Sequence, residues 1–412
     1  MKNRPLIPTI NVQEFSYELP QERIALEPTK QRDGSRLLVY QDKSILHSNY
    51  SSIAEFLPPH AHLFFNDTKV IAARLLFKKN TGTTIEIFLL EPLDGNYEQL
   101  HTTHATSWKC LVGGSKKWKQ DEALTIEINT GDYKTYLTAK RIEKAENYTA
   151  VEFTWDQSVS FSDLIKATGQ IPLPPYIKRE TNEEDKTRYQ TVYAKEEGSV
   201  AAPTAGLHFT PTIFDSLASK GIKKSFLTLH VGAGTFKPVT AASIAEHQMH
   251  EEYFEVEKST IAILADAKNI KVAVGTTSLR TLESLYWIGL KLMHEKSEPN
   301  LHALQLHQWD HFQWEDDEIK NTSVVFKYLY DLMEQQNVSK LIGHTGICIT
   351  PGYSFKVIDA LITNFHQPQS TLLLLIAAIV GEEWRNIYQN ALDQGYRFLS
   401  YGDGSILFLN KH

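Results

Sequence analysis

The stretch Val272-Ala-Val-Gly-Thr-Thr-Ser-Leu-Arg-Thr-Leu-Glu283 sets an apolar run, a glycine and three hydroxyl residues ahead of leucines at 279, 282 and 285. The run reads as a buried strand and the leucines, three apart, as one face of a helix. The same alternation continues outward. Thr210-Pro211 pairs an N-cap with proline at the first helical position, Lys220-Gly221 is the matching stop, and Lys224-Ser-Phe-Leu-Thr-Leu-His-Val231 is the next strand. A further helix covers residues 259–268, and an apolar helix follows Ser370. Strands alternating with helices predict an α/β fold with a largely parallel or mixed sheet flanked by helices.

Residues 72–156 read differently. Arg74-Leu-Leu-Phe-Lys, Thr84-Ile-Glu-Ile-Phe-Leu-Leu, Trp108-Lys-Cys-Leu-Val, Ala123-Leu-Thr-Ile-Glu-Ile, Tyr133-Lys-Thr-Tyr-Leu-Thr and Ala150-Val-Glu-Phe-Thr-Trp alternate with period two between turn residues. About six such strands make a small antiparallel β-barrel or sandwich. The expected organisation is a discontinuous α/β domain, residues 1–71 and 157–412, interrupted by an inserted β-barrel domain, residues 72–156. Ile171-Pro-Leu-Pro-Pro-Tyr176 is a stiff, extended connector. Residues 180–186 read as a solvated charged loop, and 290–340 as an irregular elaboration with a helix near 324–336.

A chain of 412 residues, 42% hydrophobic and 22% charged, is too long for one simple core and favours two domains. Cys110 and Cys348, the only cysteines, lack CxxC spacing, so neither a disulfide framework nor a zinc site is expected, and a reducing cytoplasm fits. The apolar run 372–380 is far short of the roughly 18 residues of a membrane span, and the first residues do not read as a secretion signal. A net charge of −7 means that any polyanion must be met by a local basic patch. His307 and His311 lie in alternating sequence that reads as a strand, which sets them about 13 Å apart and argues against a metal site.

Several segments can carry chemistry. Gly198-Ser-Val-Ala-Ala-Pro-Thr-Ala-Gly-Leu-His-Phe-Thr210 has neither helical nor strand periodicity and is shaped for close backbone approach, with His208 on its lip either as a site residue or as a group satisfying the backbone. Leu229-His230-Val-Gly232-Ala-Gly234-Thr ends a strand in a Gly-x-Gly turn but lacks a dinucleotide fingerprint. Thr276, Thr277 and Ser278 open a helix whose N–H groups suit a carboxylate or phosphate. Arg280 and Glu283 share a helical face, as a surface pair or as site groups. Asp359, Asn364 and His366 are polar groups in apolar sequence, and Asp403 follows Tyr401 at a glycine turn; these either tie the fold together or supply acids and bases. Lys109, Lys116, Lys117 and Lys119 interleave with Trp108 and Trp118, a pattern for phosphates and bases or for an exposed hairpin tip.

In this order the pieces resemble the S-adenosylmethionine:tRNA ribosyltransferase-isomerase family of queuosine biosynthesis. The resemblance spans Tyr17-Glu-Leu-Pro-Gln-Glu, Arg32-Asp-Gly-Ser-Arg-Leu-Leu-Val, Phe65-Asn-Asp-Thr-Lys-Val-Ile, Ile171-Pro-Leu-Pro-Pro-Tyr-Ile, Arg188-Tyr-Gln-Thr-Val-Tyr, the Gly198 block, Leu229-His-Val-Gly-Ala-Gly-Thr-Phe, Val274-Gly-Thr-Thr-Ser and Leu361-Ile-Thr-Asn-Phe-His. It departs from the family's usual pattern at Pro368-Gln369-Ser-Thr and Tyr401-Gly-Asp-Gly-Ser405, and in the length of the stretch before Pro351. The resemblance implies an α/β domain with an inserted barrel. The reaction it implies moves the ribosyl part of S-adenosylmethionine onto 7-aminomethyl-7-deazaguanine at the tRNA wobble position, giving epoxyqueuosine and releasing adenine and methionine.

S-adenosylmethionine is then a substrate, with no metal or other cofactor, and the partners are tRNA and S-adenosylmethionine without a membrane. Nothing in the sequence requires more than a monomer. A base must take a proton beside the sulfonium, which points to His208, Asp359 and His366, with Arg280 and Glu283 orienting polar groups. The implied substrate-binding set is Asn66, Asp67, Thr68, Thr204, Gly206, His230, Gly232, Gly234, Thr276, Thr277, Ser278, Asn364, Tyr401 and Asp403. Lys69, Arg74, Lys116 and Lys117 are the expected tRNA contacts. A diverged relative acting on another nucleoside, a methyltransferase using the same sulfonium compound, and a relative that only binds tRNA are the other readings.

Overall fold

The computed structural model describes residues 9–232, 241–315 and 318–409. Its main sheet is built from β1 (Arg36–Gln41), β2 (Ser44–Asn49) and β3 (Ala61–Asn66). The short β4 (Thr68–Val70) leads out of it into β5 (Arg74–Lys78), β6 (Thr84–Pro92), β7 (Ala105–Gly113), β8 (Leu124–Asn129), β9 (Lys134–Lys144) and β10 (Thr149–Thr154). After helices α1 (Phe161–Thr168) and α2 (Asp185–Arg188), β11 (Glu196–Ser199) pairs in parallel with β4, so the outgoing and returning chains run side by side. There follow α3 (Pro211–Ser219), β12 (Lys223–Leu229), β13 (Glu252–Glu257), α4 (Lys258–Ala265), β14 (Ile270–Val274) and α5 (Thr276–His294). The chain closes with β15 (Leu304–Leu306), α6 (Thr322–Gln335), β16 (Lys340–Thr345), β17 (Ala360–Asn364), α7 (Thr371–Val380), α8 (Glu383–Asp393) and β18 (Gly404–Phe408).

Among the described residues the main sheet has ten strands in the order β15-β16-β13-β12-β3-β14-β17-β18-β1-β2. Its centre, β12-β3-β14-β17, is wholly parallel and antiparallel neighbours flank it, so the sheet is mixed. Side chains alternate between its faces as strand geometry requires. Phe64, Ala273 and Leu361 pack under α4 to α8, whereas Leu63, Phe65, Val272, Val274 and Ile362 pack with Ile213 and Leu217 of α3 and the turn around Tyr50. Both faces are covered, which is why these strands read as unbroken apolar runs.

The six strands β5-β6-β7-β10-β9-β8 form an antiparallel sheet whose edges, β5 and β8, come into contact, giving a nearly closed barrel. Phe161, Leu164 and Ile165 of α1 close its core over Trp108, Val151 and Phe153. Trp108 and Trp118 are thus core residues, 0% and 2% exposed, and are not platforms for bases. Lys109 is paired with Glu91 at 2.6 Å, and the barrel tip is a 3-10 turn at Ser115–Lys117 that leaves Lys116 and Lys117 exposed.

Three local expectations change. The strand expected through His307 and His311 ends at Leu306, and His311 sits in a 3-10 turn, buried among Trp287, Phe312 and Tyr353. The run 180–186 is not simply a solvated loop, because Asp185 is 1% exposed. There Arg179 donates to both its carboxylate oxygens at 2.7 and 2.8 Å, and Tyr401 donates at 2.9 Å. The described part of 290–340 carries regular elements: β15 extends the sheet edge and α6 packs on α5, where a side chain on Gly289 would strike Val325 and Leu329.

Candidate active site

In a parallel sheet, ligands bind beyond the carboxyl ends of the strands. Here those ends are Asn66, the last residue of β3, His230 and Val231 after β12, Gly275 and Thr276 after β14, and Asn364 to His366 at β17. A cleft opens there, walled by Ala201–Ala205 of the Gly198 block on one side and Thr363–Gln367 on the other, with Gly275, Thr276 and Thr277 at its floor and the buried Leu399 and Ser400 also lining it. Of the residues expected from sequence, Thr204, Thr276, Thr277, Asn364 and His366 line it directly. Leu399 holds φ of 70°, a strained conformation for a bulky residue.

Helix α5 meets the cleft without a side-chain cap. Its N-cap is Gly275, at φ 89°, and Ser278 Oγ turns back to donate to the Val274 carbonyl at 2.9 Å. The first N–H groups therefore face the cleft at the positive end of a 19-residue helix. Asn66 supports this floor: its Oδ1 accepts from the Thr68 and Leu229 N–H groups, and its Nδ2 donates to the Leu229 carbonyl at 2.9 Å and to Thr277 Oγ1 at 3.3 Å.

Asn364 occupies the facing wall. Its Oδ1 accepts from Thr204 Oγ1 at 2.9 Å, and its Nδ2 lies 3.4 Å from His208 Nε2. His208 is buried one layer back, stacked on Tyr50 with ring centroids 4.2 Å apart. Burial pushes its pKa down to about 3, so the ring is neutral. His366 is half-buried in the cleft wall, its Nε2 3.0 Å from Thr363 Oγ1, and desolvation lowers its pKa to about 3 as well. Its backbone is pinned by Tyr17, whose hydroxyl donates to the His366 carbonyl at 2.5 Å, and by its own N–H donating to Tyr388 at 3.1 Å. Gly206 supports the wall from behind, where a side chain would collide with the Tyr193 hydroxyl.

His230 and Gly232 face a second cleft, between the barrel and the main sheet. His230 stacks between Tyr97 of the barrel, 4.2 Å away, and Tyr253 of β13, 5.5 Å away, and shares a 2.8 Å hydrogen bond through Nδ1 with Thr68. Asp67 accepts from Thr228 at 2.7 Å, and burial raises its pKa to about 6. Gly234 lies outside the described residues.

Other expected site residues stand apart from the cleft. Asp359 precedes β17, at the end opposite Asn364 and roughly 16 Å from it at strand rise; its carboxylate accepts from the Lys271 N–H at 2.7 Å. Arg280 and Glu283 are buried and do not pair with each other. Arg280 engages Glu252 and the Ile347 carbonyl, while Glu283 accepts from the Tyr353 hydroxyl and the N–H groups of Lys356, Val357 and Ile358. Asp403 accepts from the Arg36 and Arg397 N–H groups at 2.9 and 2.8 Å. Of the four cations expected to meet tRNA, Lys69 pairs at 2.9 Å with Glu197, a carboxylate it shares with Lys166, and Arg74 pairs with Glu86 at 3.0 Å.

Thr363, Ser400, Tyr97 and Tyr253 were not singled out from sequence. Thr363 lay inside a quoted motif and gave a signal; the others become neighbours of the site only through the fold.

A family profile described as "Queuosine biosynthesis protein" matches residues 12–407. Proteins named S-adenosylmethionine:tRNA ribosyltransferase-isomerase are similar over nearly the whole chain. That of Thermotoga petrophila is 39% identical over 404 residues, covering 97% of this chain and 100% of the relative. That of Trichlorobacter lovleyi is 37% identical, covering 96% and 99%. A crystal structure of S-adenosylmethionine tRNA ribosyltransferase from Thermotoga maritima is 29% identical, with a TM-score of 0.45, covering 95% of this chain and 99% of that one.

Proposed function

The chain belongs to the queuosine biosynthesis protein family, and we propose that it acts as an S-adenosylmethionine:tRNA ribosyltransferase-isomerase through the cleft beyond β3, β14 and β17. The match across 12–407 carries this reading. The acceptor is 7-aminomethyl-7-deazaguanine at the tRNA wobble position, and the products are epoxyqueuosine in tRNA, adenine and methionine. S-adenosylmethionine is consumed as a substrate, with no separate cofactor. Among the described residues no helix is long and apolar enough to cross a membrane; we place the reaction in the cytoplasm.

The open N-terminus of α5 takes the methionine carboxylate, since its uncapped N–H groups and positive dipole favour an anion. Thr204, Thr276 and Asn364 supply hydrogen bonds that orient the ribose. A proton on the carbon beside the sulfonium is acidified by that charge, and the transfer requires an unprotonated base within reach. His366 is the neutral imidazole in the cleft wall and is assigned that proton. His208, which does not line this cleft and meets its wall through Asn364, is a positioning residue. Asp359, Arg280 and Glu283 hold the sheet and α5 in place rather than touching substrate.

Incubation with S-adenosylmethionine and tRNA carrying the aminomethyl-deazaguanine, followed by nucleoside analysis, tests this reading. An epoxide-bearing nucleoside with free adenine and methionine is expected. Formation of S-adenosylhomocysteine instead would identify a methyltransferase, and tRNA binding without adenine release would identify a non-catalytic relative.

A further inference from the structure

Arg32 and Arg188 meet in a small recess beside the cleft, lined also by Thr29, Ser35, His208 and Tyr401 and sharing the buried Ser400 with the cleft. Both are half-buried. Arg32 donates from Nη1 to the Leu207 carbonyl at 3.2 Å and from Nη2 to the Thr187 carbonyl at 2.6 Å. Arg188 donates from Nη1 to the Lys30 carbonyl at 3.3 Å and from Nη2 to the Thr29 carbonyl at 2.5 Å. These bonds fix the two side chains but leave most of their N–H groups free, and the buried Nε of Arg188 has no partner among the described residues.

Among the described residues neither arginine has an ion pair; the nearby Asp185 is already held by Arg179 and Tyr401, and Asp33 accepts from Thr210. The Arg32 guanidinium is held below its usual range by burial and then by the charge of Arg188. Two half-buried like charges, pre-oriented by backbone carbonyls, are costly unless an anion joins them. Planar guanidinium donors suit a carboxylate or a phosphate.

We propose that Arg32 and Arg188 bind a backbone phosphate of tRNA beside the nucleoside that enters the cleft. This rests on the tRNA-modifying reading above. The other source of an oxyanion, the methionine carboxylate, already has the open end of α5 inside the cleft. The recess lies beside the cleft instead, sharing Ser400 with it, and in this acidic protein Lys69 and Arg74 each already have a carboxylate partner whereas Arg32 and Arg188 have none among the described residues.

The test compares wild type, Arg188→Gln and Arg188→Lys for tRNA affinity across a salt series, with KM for S-adenosylmethionine measured alongside. Losing one phosphate contact weakens tRNA binding about tenfold or more at low salt. It also makes the slope of log affinity against log salt shallower by about 0.7 to 0.9. Arg188→Gln is expected to show both with KM for S-adenosylmethionine unchanged, and Arg188→Lys to retain the slope. A folded Arg188→Gln with unaltered tRNA affinity and slope would overturn the proposal, as would a raised KM for S-adenosylmethionine alone. Phosphate-ethylation interference on tRNA with the wild type needs no variant to fold: interference at phosphates flanking the wobble nucleoside supports the site, and none there overturns it. Adenine release by wild type is scored separately, so failure of the catalytic reading is distinguishable from failure of the phosphate site.

Discussion

Asn364 joins the two halves of the cleft wall, its Oδ1 accepting from Thr204 and its Nδ2 lying 3.4 Å from the neutral ring of His208. One side chain thereby couples β17 to the Gly198 block, so the block's irregular backbone is held in register with the sheet. Asn364→Leu keeps the volume and removes both hydrogen-bonding atoms. It leaves Thr204 and the buried His208 without their shared partner, at a cost of about 1–3 kcal/mol. KM for S-adenosylmethionine is expected to rise at least about tenfold while the variant stays folded. Steady-state kinetics beside thermal unfolding decide this: a lowered Tm with unchanged KM would make Asn364 purely structural.

Acid should destabilise this protein earlier than its carboxylates alone would dictate. His208, His230, His311 and His366 are held neutral down to about pH 3, and His62 to about 4, by desolvation. Their folded pKa values lie below the unfolded value near 6.5, so the unfolded chain binds more protons and stability falls as pH drops below that value. Asp67, raised to about 6, works in the opposite direction between its unfolded pKa and 6. Together these six groups take up about four protons on unfolding at pH 5. Thermal unfolding across a pH series reads this number from its slope, and a flat profile between pH 4.5 and 6.5 would contradict it.

Glu283→Gln separates structure from catalysis. The buried carboxylate accepts one hydroxyl and three backbone N–H groups, which hold residues 356–358 in place at the start of β17. An amide nitrogen there meets donors instead of accepting from them, with a cost of about 1–3 kcal/mol. A lower Tm is expected, with turnover per folded molecule within about twofold of wild type. A large loss of kcat at full folding would return Glu283 to the active machinery.

The sheet and barrel were legible because their signals are local. Period-two alternation in residues 74–154 and the Thr210-Pro211 cap depend only on neighbouring residues, and the cap forms as expected, with Thr210 Oγ1 accepting from the Ile213 N–H. The site was legible where residues sit at the carboxyl end of a parallel strand, as Thr276 and Asn364 do, and in the aperiodic Gly198 block, which supplies Thr204. Asp359 shares a motif with Asn364, but one strand length takes it to the opposite end of the sheet. Arg280 and Glu283 read as a pair because they are three apart on one helix. Their actual partners, Glu252 and the 353–358 segment, come from strand order, which no local pattern records. The tryptophans failed for a related reason: an aromatic residue in a strand faces the barrel core or solvent according to register, and Trp108 falls on the inner face.

Gly198 gives the last test, of how tightly the barrel is tied to the site. Its φ is 151°, and a side chain there would lie 2.6 Å from Tyr97 Cδ1 and 2.8 Å from the His230 ring. The absence of a Cβ is therefore what lets Tyr97, from the inserted barrel, stack on His230 at the end of β12. Gly198→Ala forces one ring away and strains the backbone, costing about 1–3 kcal/mol. Hydrogen exchange is expected to quicken in residues 97–101, which anchor the barrel's side of the stack, while the barrel strands stay protected. Adding Tyr97→Ala relieves the nearer collision and should partly restore the Tm of Gly198→Ala, although the His230 contact remains. If the second change lowers Tm by as much in the Gly198→Ala background as in wild type, the two residues are not coupled. The barrel would then be held to the β12 end by something other than the Tyr97–His230 stack.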